Sequence, residues 1–398
     1  MDLAIRDVRR HAGKFAITVV GVGLLLAVVL TMNGIYRGAI ADGTWLIDNT
    51  DTDLWVVERA RGGPFNESSR VNQVLYRSVA AVPGVLKASP FITYPVQRNI
   101  SGRSQQFSIV GYDVFGGLGG PARIVEGRSI AASHFEAVAD MKIGLRVGDR
   151  LRLGLHDYSV VGLTKGAVDT GGNALMYVAL PDAQEIIYQQ DNEAIRSAQL
   201  AAERAIEGQG NTPSEAERLL PLVSTSDART ISAILVRLDS NAEPDAVRKG
   251  IEQRIFLTVF TPTEERDLMM KGQLFQVTRT LNLFRSLLVI VSVVIMALIV
   301  YVLTMEKIVA LATLKLIGAP NSVIIRLILE QSLTLAVFAF ATAYGISALT
   351  HEHFPRRLVF QRSDTMITFA VVCVGGAIAS LFGIWRALRT PPSMALGG

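Results

Sequence analysis

The sequence predicts an α-helical membrane protein with four transmembrane helices and an α+β extracytoplasmic (periplasmic) domain between the first and second of them. Three observations carry this. Apolar residues are gathered into four blocks, each long enough to cross a bilayer. A stretch of mixed strand and helix signals, far too long for a loop, separates the first block from the other three. Lys and Arg collect at matching ends of the blocks.

The first span is placed at 15–36. Its apolar run, FAITVVGVGLLLAVVLTMNGI, covers about 30 Å as a helix, the thickness of the hydrocarbon core. It is too long for the apolar part of a signal peptide, and no small-residue cleavage site follows, so it reads as an uncleaved anchor. The second span is 284–304, with Ser286 and Ser292 its most polar members. The third is 323–349, carrying Arg326, Glu330 and Gln331 in its first turns, and the fourth is 366–386. Asn33 reads as a cap at the outer end of the first span, and Glu330 as the partner of Arg326 one turn earlier.

Orientation follows from the flanking cations. Arg6, Arg9, Arg10 and Lys14 precede the first span, Lys307 and Lys315 lie between the second and third, and Arg386 and Arg389 follow the fourth. With four spans these three segments share one side, the cytoplasm. Arg356, Arg357 and Arg362, in the loop 350–365, dissent and are outweighed. Residues 1–14, in which Leu3, Val8 and Ala12 stand among charges, predict a short amphipathic helix on the cytoplasmic membrane surface. Residues 305–322 form a cytoplasmic segment and 387–398 a cytoplasmic tail.

Composition agrees. Charged residues make up 19% of the chain, below the roughly 25% of soluble domains. The net charge of +4 fits basic cytoplasmic loops better than nucleic-acid binding, since no basic run is interleaved with aromatics. Cys373 is the one cysteine, so no disulfide can brace the outer domain.

Within 37–283, strands are predicted at Asp53–Glu58, Leu86–Ile100, Gln105–Tyr112, Arg150–Leu155, Tyr158–Thr164, Ala174–Leu180 and Ile231–Leu238. Helices are predicted at Val71–Val82, from Asp182 to Gln189, and at Pro244–Ile255. Gln190–Leu220 is polar and alanine-rich and reads as helix, then loop. This irregular order favours an α+β domain. From Thr263 the pattern turns helical and runs into the second span, which predicts a continuous lever.

Catalytic signatures are missing. Gly116–Gly120 and Gly171-Gly172 lack the lysine and Ser/Thr of a phosphate loop. His351-Glu352-His353 places its histidines two apart, where helical side chains diverge, and reads as a solvated loop. Gly345-Ile-Ser-Ala348 lies in a span, but no other span holds the histidine an intramembrane serine protease needs. His134 and His156 read as lone histidines.

The arrangement of one span, a large outer domain and three further spans resembles the MacB/FtsX/LolE group of ABC transporter permeases. The start, Leu3-Ala-Ile-Arg-Asp-Val-Arg-Arg-His-Ala-Gly-Lys-Phe15, is similar to that family's basic amphipathic N-terminal helix. The loop Glu306–Ala319 resembles its coupling segment, which ends in Gly-Ala, and Trp385–Leu396 its closing pattern of basic residues, Pro and Ala-Leu. Ala312–Gly318, and Val160–Thr164 followed by Tyr177–Gln184, look most like the DevC branch. One departure is Val309-Ala310, where the family often opens the coupling segment with a charged pair.

The resemblance implies a bacterial inner-membrane permease subunit of an exporter for lipids or other amphiphiles. ATP and Mg²⁺ would be bound by a separate ABC ATPase and no cofactor by this chain. A second permease copy, a periplasmic adaptor, an outer-membrane channel and membrane lipids would complete the partners. Glu306, Lys307, Leu311, Leu314, Lys315, Gly318 and Ala319 would form the ATPase-coupling site, with Val309 and Ile317 adding apolar contact and Gly318-Ala-Pro320 ending the helix. The rival functions are an FtsX-like device that activates a periplasmic hydrolase without transport, and a membrane-anchored enzyme.

Overall fold

The computed structural model describes residues 12–100, 102–187, 230–351, 354 and 357–389. Most of the predicted N-terminal helix, with Arg6, Arg9 and Arg10, lies outside these residues, as do Gln190–Leu220, Glu352 and His353. Two compact units are present: the chain up to Ala41 together with Gln276 onward, and Asp42–Phe275.

In chain order the elements begin with α1 (Ala12–Asn49), β1 (Leu54–Val57), β2 (Val71–Asn72), α2 (Leu75–Ala80), β3 (Val85–Ile100), β4 (Arg103–Tyr112), β5 (Glu126–Gly127) and β6 (Glu136–Asp140). Then come β7 (Arg150–Leu153), β8 (His156–Thr164), β9 (Ala174–Ala179) and α3, residues 180–187. The chain continues with β10 (Thr230–Ile231), β11 (Ala233–Leu238), α4 (Pro244–Ile255), β12 (Thr258–Phe260), α5 (Pro262–Lys271), α6 (Gln273–Glu306), α7 (Ile308–Leu316), α8 (Asn321–Thr350) and α9 (Arg362–Arg389).

Among the described residues four helices, α1, α6, α8 and α9, are long and apolar enough to cross a membrane. Large apolar side chains such as Ile17, Leu24, Ile290, Leu298 and Phe382 point outward, as lipid-facing residues do. The bundle interior is built by Val22, Leu26, Met296, Ile328, Leu335 and the alanines Ala336, Ala339 and Ala343. Small residues let the backbones approach. A Cβ on Gly23 would stand 2.9 Å from Thr342 Cβ, and one on Gly375 2.8 Å from Val293 Cγ2. Hydroxyls then reach neighbouring carbonyls: Ser332 Oγ donates to Gly376 O at 2.7 Å and Ser347 Oγ to Ala27 O at 3.4 Å. Ser347, the serine of the Gly345–Ala348 stretch, therefore serves helix packing.

Gly34 and Gly38, one turn apart on α1, receive an extended segment rather than another helix. A Cβ on Gly38 would overlap the carbonyl oxygen of Arg357, and Val359 N–H donates to Gly34 O at 3.2 Å. Arg326 and Glu330 pair at 2.8 Å as the sequence suggests. Asn33 corrects its expected role. Because α1 continues unbroken to Asn49, Asn33 is no cap, and its amide donates to Thr368 Oγ1 at 2.9 Å.

The other unit is built on a mixed, mainly antiparallel sheet in the order β12-β1-β11-β3-β4-β9-β6-β8-β5, with β7 added against β8. Only β4–β9 and β6–β8 are parallel among the described pairs. Alternation sends side chains to two cores. Leu54, Val56, Ile109, Met176 and Val178 face one, closed by Val79 of α2, Ala183 and Ile186 of α3, and Val247 and Ile251 of α4. Trp55, Val57, Val110, Leu175 and Tyr177 face the other, closed by Leu46 of α1 and the loop residues Leu118 and Ile130. Strands buried on both faces read as continuous apolar runs, as LWVV of β1 and ALMYVA of β9 do.

Two expectations are corrected. Val71–Val82 is not one helix: Val71 and Asn72 pair with β10, and Asn72 Oδ1 then accepts from Val74 N–H, an Asx turn that delays α2 to Leu75. The lever from Thr263 is interrupted. α5 opens with a capping box, in which Thr261 and Glu264 satisfy each other's backbone N–H, and stops at Gly272, whose φ −98° and ψ −107° are not helical. Asn66 bridges the break, donating to Leu268 O at 2.8 Å and accepting from Gln273 N–H at 3.0 Å. The uninterrupted helix starts at Gln273.

Candidate functional site

The predicted coupling residues stand at one end of the helical unit. α6 ends at Glu306, and Lys307 adopts a non-helical φ −102° and ψ 12° before α7 begins. Burial pushes the Lys307 ammonium down. Glu306 Oε1 lies 3.5 Å from Lys14 Nζ, so the first and second membrane helices are linked by charge at this end. α7 closes on Gly318 at φ +94°, a left-handed position that favours glycine, with Gly318 N–H donating to Lys315 O and Ala319 N–H to Leu314 O.

The apolar positions of α7 divide in a way the sequence does not show. Leu311 is buried in the bundle core and Leu314 packs against it. The face left open is Val309, Leu316 and Ile317, at 53%, 46% and 80% exposure. Lys315 is not at the rim of that face. Its ammonium donates to Ala387 O and Leu388 O in the last described turn of α9, both at 2.9 Å. The Lys315 side chain thus ties α7 to α9.

A second feature lies between α1, α6 and α9: a cavity of about 160 Å³. Its deeper walls are apolar, including Leu26, Val29, Val293 and Met296, and its polar lining is Asn33, Arg285, Ser292, Asp364 and Thr368. Most of the polar groups are satisfied. Arg37 clamps Asp364 through Nε–Oδ2 at 2.5 Å and Nη2–Oδ1 at 2.8 Å. Ser292 Oγ donates to Leu288 O, and Thr368 Oγ1 to Asp364 O. Two are not. Asn33 Oδ1 is buried with no donor among the described residues, which costs about 1–3 kcal/mol. Arg285 sits 5.5 Å from the Tyr36 ring and acts electrostatically on Asp364, but hydrogen-bonds to no described residue.

His134 Nδ1 is 2.7 Å from Asp182 Oδ1, and His156 Nε2 is 2.9 Å from Glu185 Oε1. The pairs flank Phe135, and neither imidazole hydrogen-bonds to a hydroxyl or thiol among the described residues. The histidines are paired rather than lone. Burial pushes the Asp182 carboxyl up against the lowering effect of His134 and of the Phe135 N–H. Among the described residues no group of three or more His, Cys, Asp or Glu is placed to hold a metal ion.

Residues 15–254 match the MacB-like periplasmic core domain. The chain belongs to the MacB-like family of ABC transporter permeases. As such it is a multi-pass membrane subunit that lacks ATPase activity itself. Two uncharacterised ABC transporter permeases of Mycobacterium tuberculosis are 24% and 22% identical to this MacB-like chain over 395 residues, covering 99% of each partner in the comparison. Among solved structures, the periplasmic region of MacB from Actinobacillus actinomycetemcomitans covers 55% of this chain and 92% of its own, at 9% identity and a TM-score of 0.35. The extracellular domain of the transporter YknZ from Gram-positive bacteria covers 53% of this chain and 100% of its own, at 10% identity and a TM-score of 0.33.

Proposed function

We propose that this permease transmits ATP-driven motion from a separate ABC ATPase, bound at α7, to the Asp42–Phe275 unit in the periplasm, and that the work exports a lipid or other amphiphile in the manner of the DevC branch. The observation that carries the reading is the division of α7: one face locked into the bundle, the other apolar and open, and Lys315 fastened to the end of α9. A helix of this kind can receive force on its open face and pass it to the bundle. α1 and α6, each an unbroken helix with residues in both units, carry the motion onward. Both termini and α7 face the cytoplasm in this reading. ATP and Mg²⁺ belong to the ATPase, and a second permease copy, an adaptor and an outer-membrane channel complete the assembly.

The docking surface is Val309, Leu316 and Ile317 rather than Leu311 and Leu314. Ile317→Asp is expected to weaken ATPase binding by about tenfold or more, by removing apolar contact and adding a charge that must be desolvated, with no change in thermal stability. Co-purification from native membranes in mild detergent, followed by mass spectrometry, reads both the partner and the effect. Recovery of an ATPase with a periplasmic adaptor supports export. Recovery of an ATPase with a cell-wall hydrolase points to signalling without transport. A stable complex without an ATPase, or an Ile317→Asp chain that retains the ATPase fully, refutes the coupling surface.

A further inference from the structure

The cavity between α1, α6 and α9 has a polarity that a ligand would have to match. At the rim stands a guanidinium, Arg285, with no hydrogen-bond acceptor among the described residues. Beside it the Asp364 carboxylate is held by Arg37 at both oxygens, so the cation of this pair answers Asp364 and leaves the charge of Arg285 in excess. One helical turn inside Arg37 on α1 is Asn33, whose Oδ1 accepts nothing while its amide is spent on Thr368. Deeper still, Val29 and Leu26 continue along the same helix toward Met296, and no charge lines that part.

We infer that this cavity binds an anionic amphiphile. Its anionic oxygen would pair with Arg285, a hydroxyl or N–H next to that anion would donate to Asn33 Oδ1, and an apolar chain would enter the pocket lined by Leu26, Val29 and Met296. The volume, about 160 Å³, resembles that of an engineered apolar cavity of about 150 Å³ that holds one benzene ring, so one short stretch of a single chain fits and the rest remains in lipid. The inference rests on the export reading for its view of the ligand as cargo, and it narrows that cargo to molecules with a negative head and a hydrogen-bond donor beside it. A zwitterionic choline lipid lacks the donor.

The test uses the full chain in nanodiscs of phosphatidylcholine containing a small fraction of phosphatidylglycerol with a photoactivatable acyl chain. Adducts are mapped by peptide mass spectrometry. They are expected to concentrate on the α1, α6 and α9 peptides that line the cavity, and to be displaced by unlabelled phosphatidylglycerol but not by added phosphatidylcholine or inorganic phosphate. Arg285→Gln is expected to cut labelling about tenfold, the weight of a hydrogen bond to a charged group, with Arg285→Lys restoring part of it. Asn33→Leu keeps the helix and is expected to cut labelling several-fold by itself. Adducts spread over the outward residues Ile17, Leu24 and Leu298, or labelling indifferent to both variants, overturn the site. Displacement by inorganic phosphate alone assigns the rim to a free anion and overturns the amphiphile. Labelling is read without ATPase or transport, so a failure to release lipid on ATP addition would sink the export reading and leave the site standing.

Discussion

Among the described carboxylates of the extramembrane unit Glu265 is the least comfortable, and its discomfort can be measured. It is fully buried on α5, and neither carboxylate oxygen meets a donor among the described residues. Gly63, at φ +85°, packs so closely that any Cβ there would overlap the carboxylate. Burial alone pushes the Glu265 carboxyl from 4.5 up to about 8. A group whose folded value is raised is bound more tightly to its proton in the folded state. Its contribution to stability is complete below 4.5 and is lost progressively as pH rises to about 8. A shift of that size is worth about 5 kcal/mol across the window, at about 1.36 kcal/mol per unit. For a domain of this size, about 1 kcal/mol moves the melting temperature by about 2–4 °C. Glu265→Gln keeps the shape and cannot ionise. The purified full chain and the variant should therefore melt at similar temperatures near pH 4.5 and separate as pH rises. At pH 8.5 the variant should lead by about 10 °C or more. All other titrating groups act on both proteins, so the difference curve isolates Glu265. Parallel melting curves from pH 4.5 to 8.5 would refute the reasoning.

Other perturbations have defined outcomes. Lys315→Met removes both hydrogen bonds to the end of α9. It should cost about 1–2 kcal/mol of helix-end stabilisation and leave ATP hydrolysis poorly coupled to transport, while membrane insertion and ATPase binding stay normal; unchanged transport per ATP would count against the Lys315 tie. Gly111→Val, next to the last residue of β4, should destabilise the extramembrane unit by about 1–3 kcal/mol, because a Cβ there already meets Ala183 Cβ at 2.3 Å and Ile92 Cγ2 at 2.5 Å. A melting temperature equal to that of the parent chain would show that α3 shifts freely.

The membrane helices were legible because each carries a mainly apolar block long enough to cross a bilayer. β4, β8 and β9 were legible from their apolar runs, and α4 from its proline at the first turn. β6 was not. Its sequence, EAVAD, has weak strand preference, and it is a strand because β8 and β9 flank it. β12 is too short for periodicity to register. On α7 the sequence supplied apolar positions but not their direction: helical spacing cannot tell which leucines a neighbouring span will claim. The cavity was invisible for a related reason. Asn33, Arg285 and Asp364 come from three helices, and only packing brings them to one rim.

Gly34 and Gly38 bear on how copies of this chain could assemble. Two glycines four apart in an apolar helix are a familiar means for one span to grip its twin. Here that notch is already filled from within by the backbone around Arg357–Phe360. A larger residue at Gly38 would loosen a loop of the same molecule, and the loss would show in a monomer. Genetic screens that score such a substitution as a failure of self-association would misread it. Two copies meeting through α1 would have to use another side of the helix.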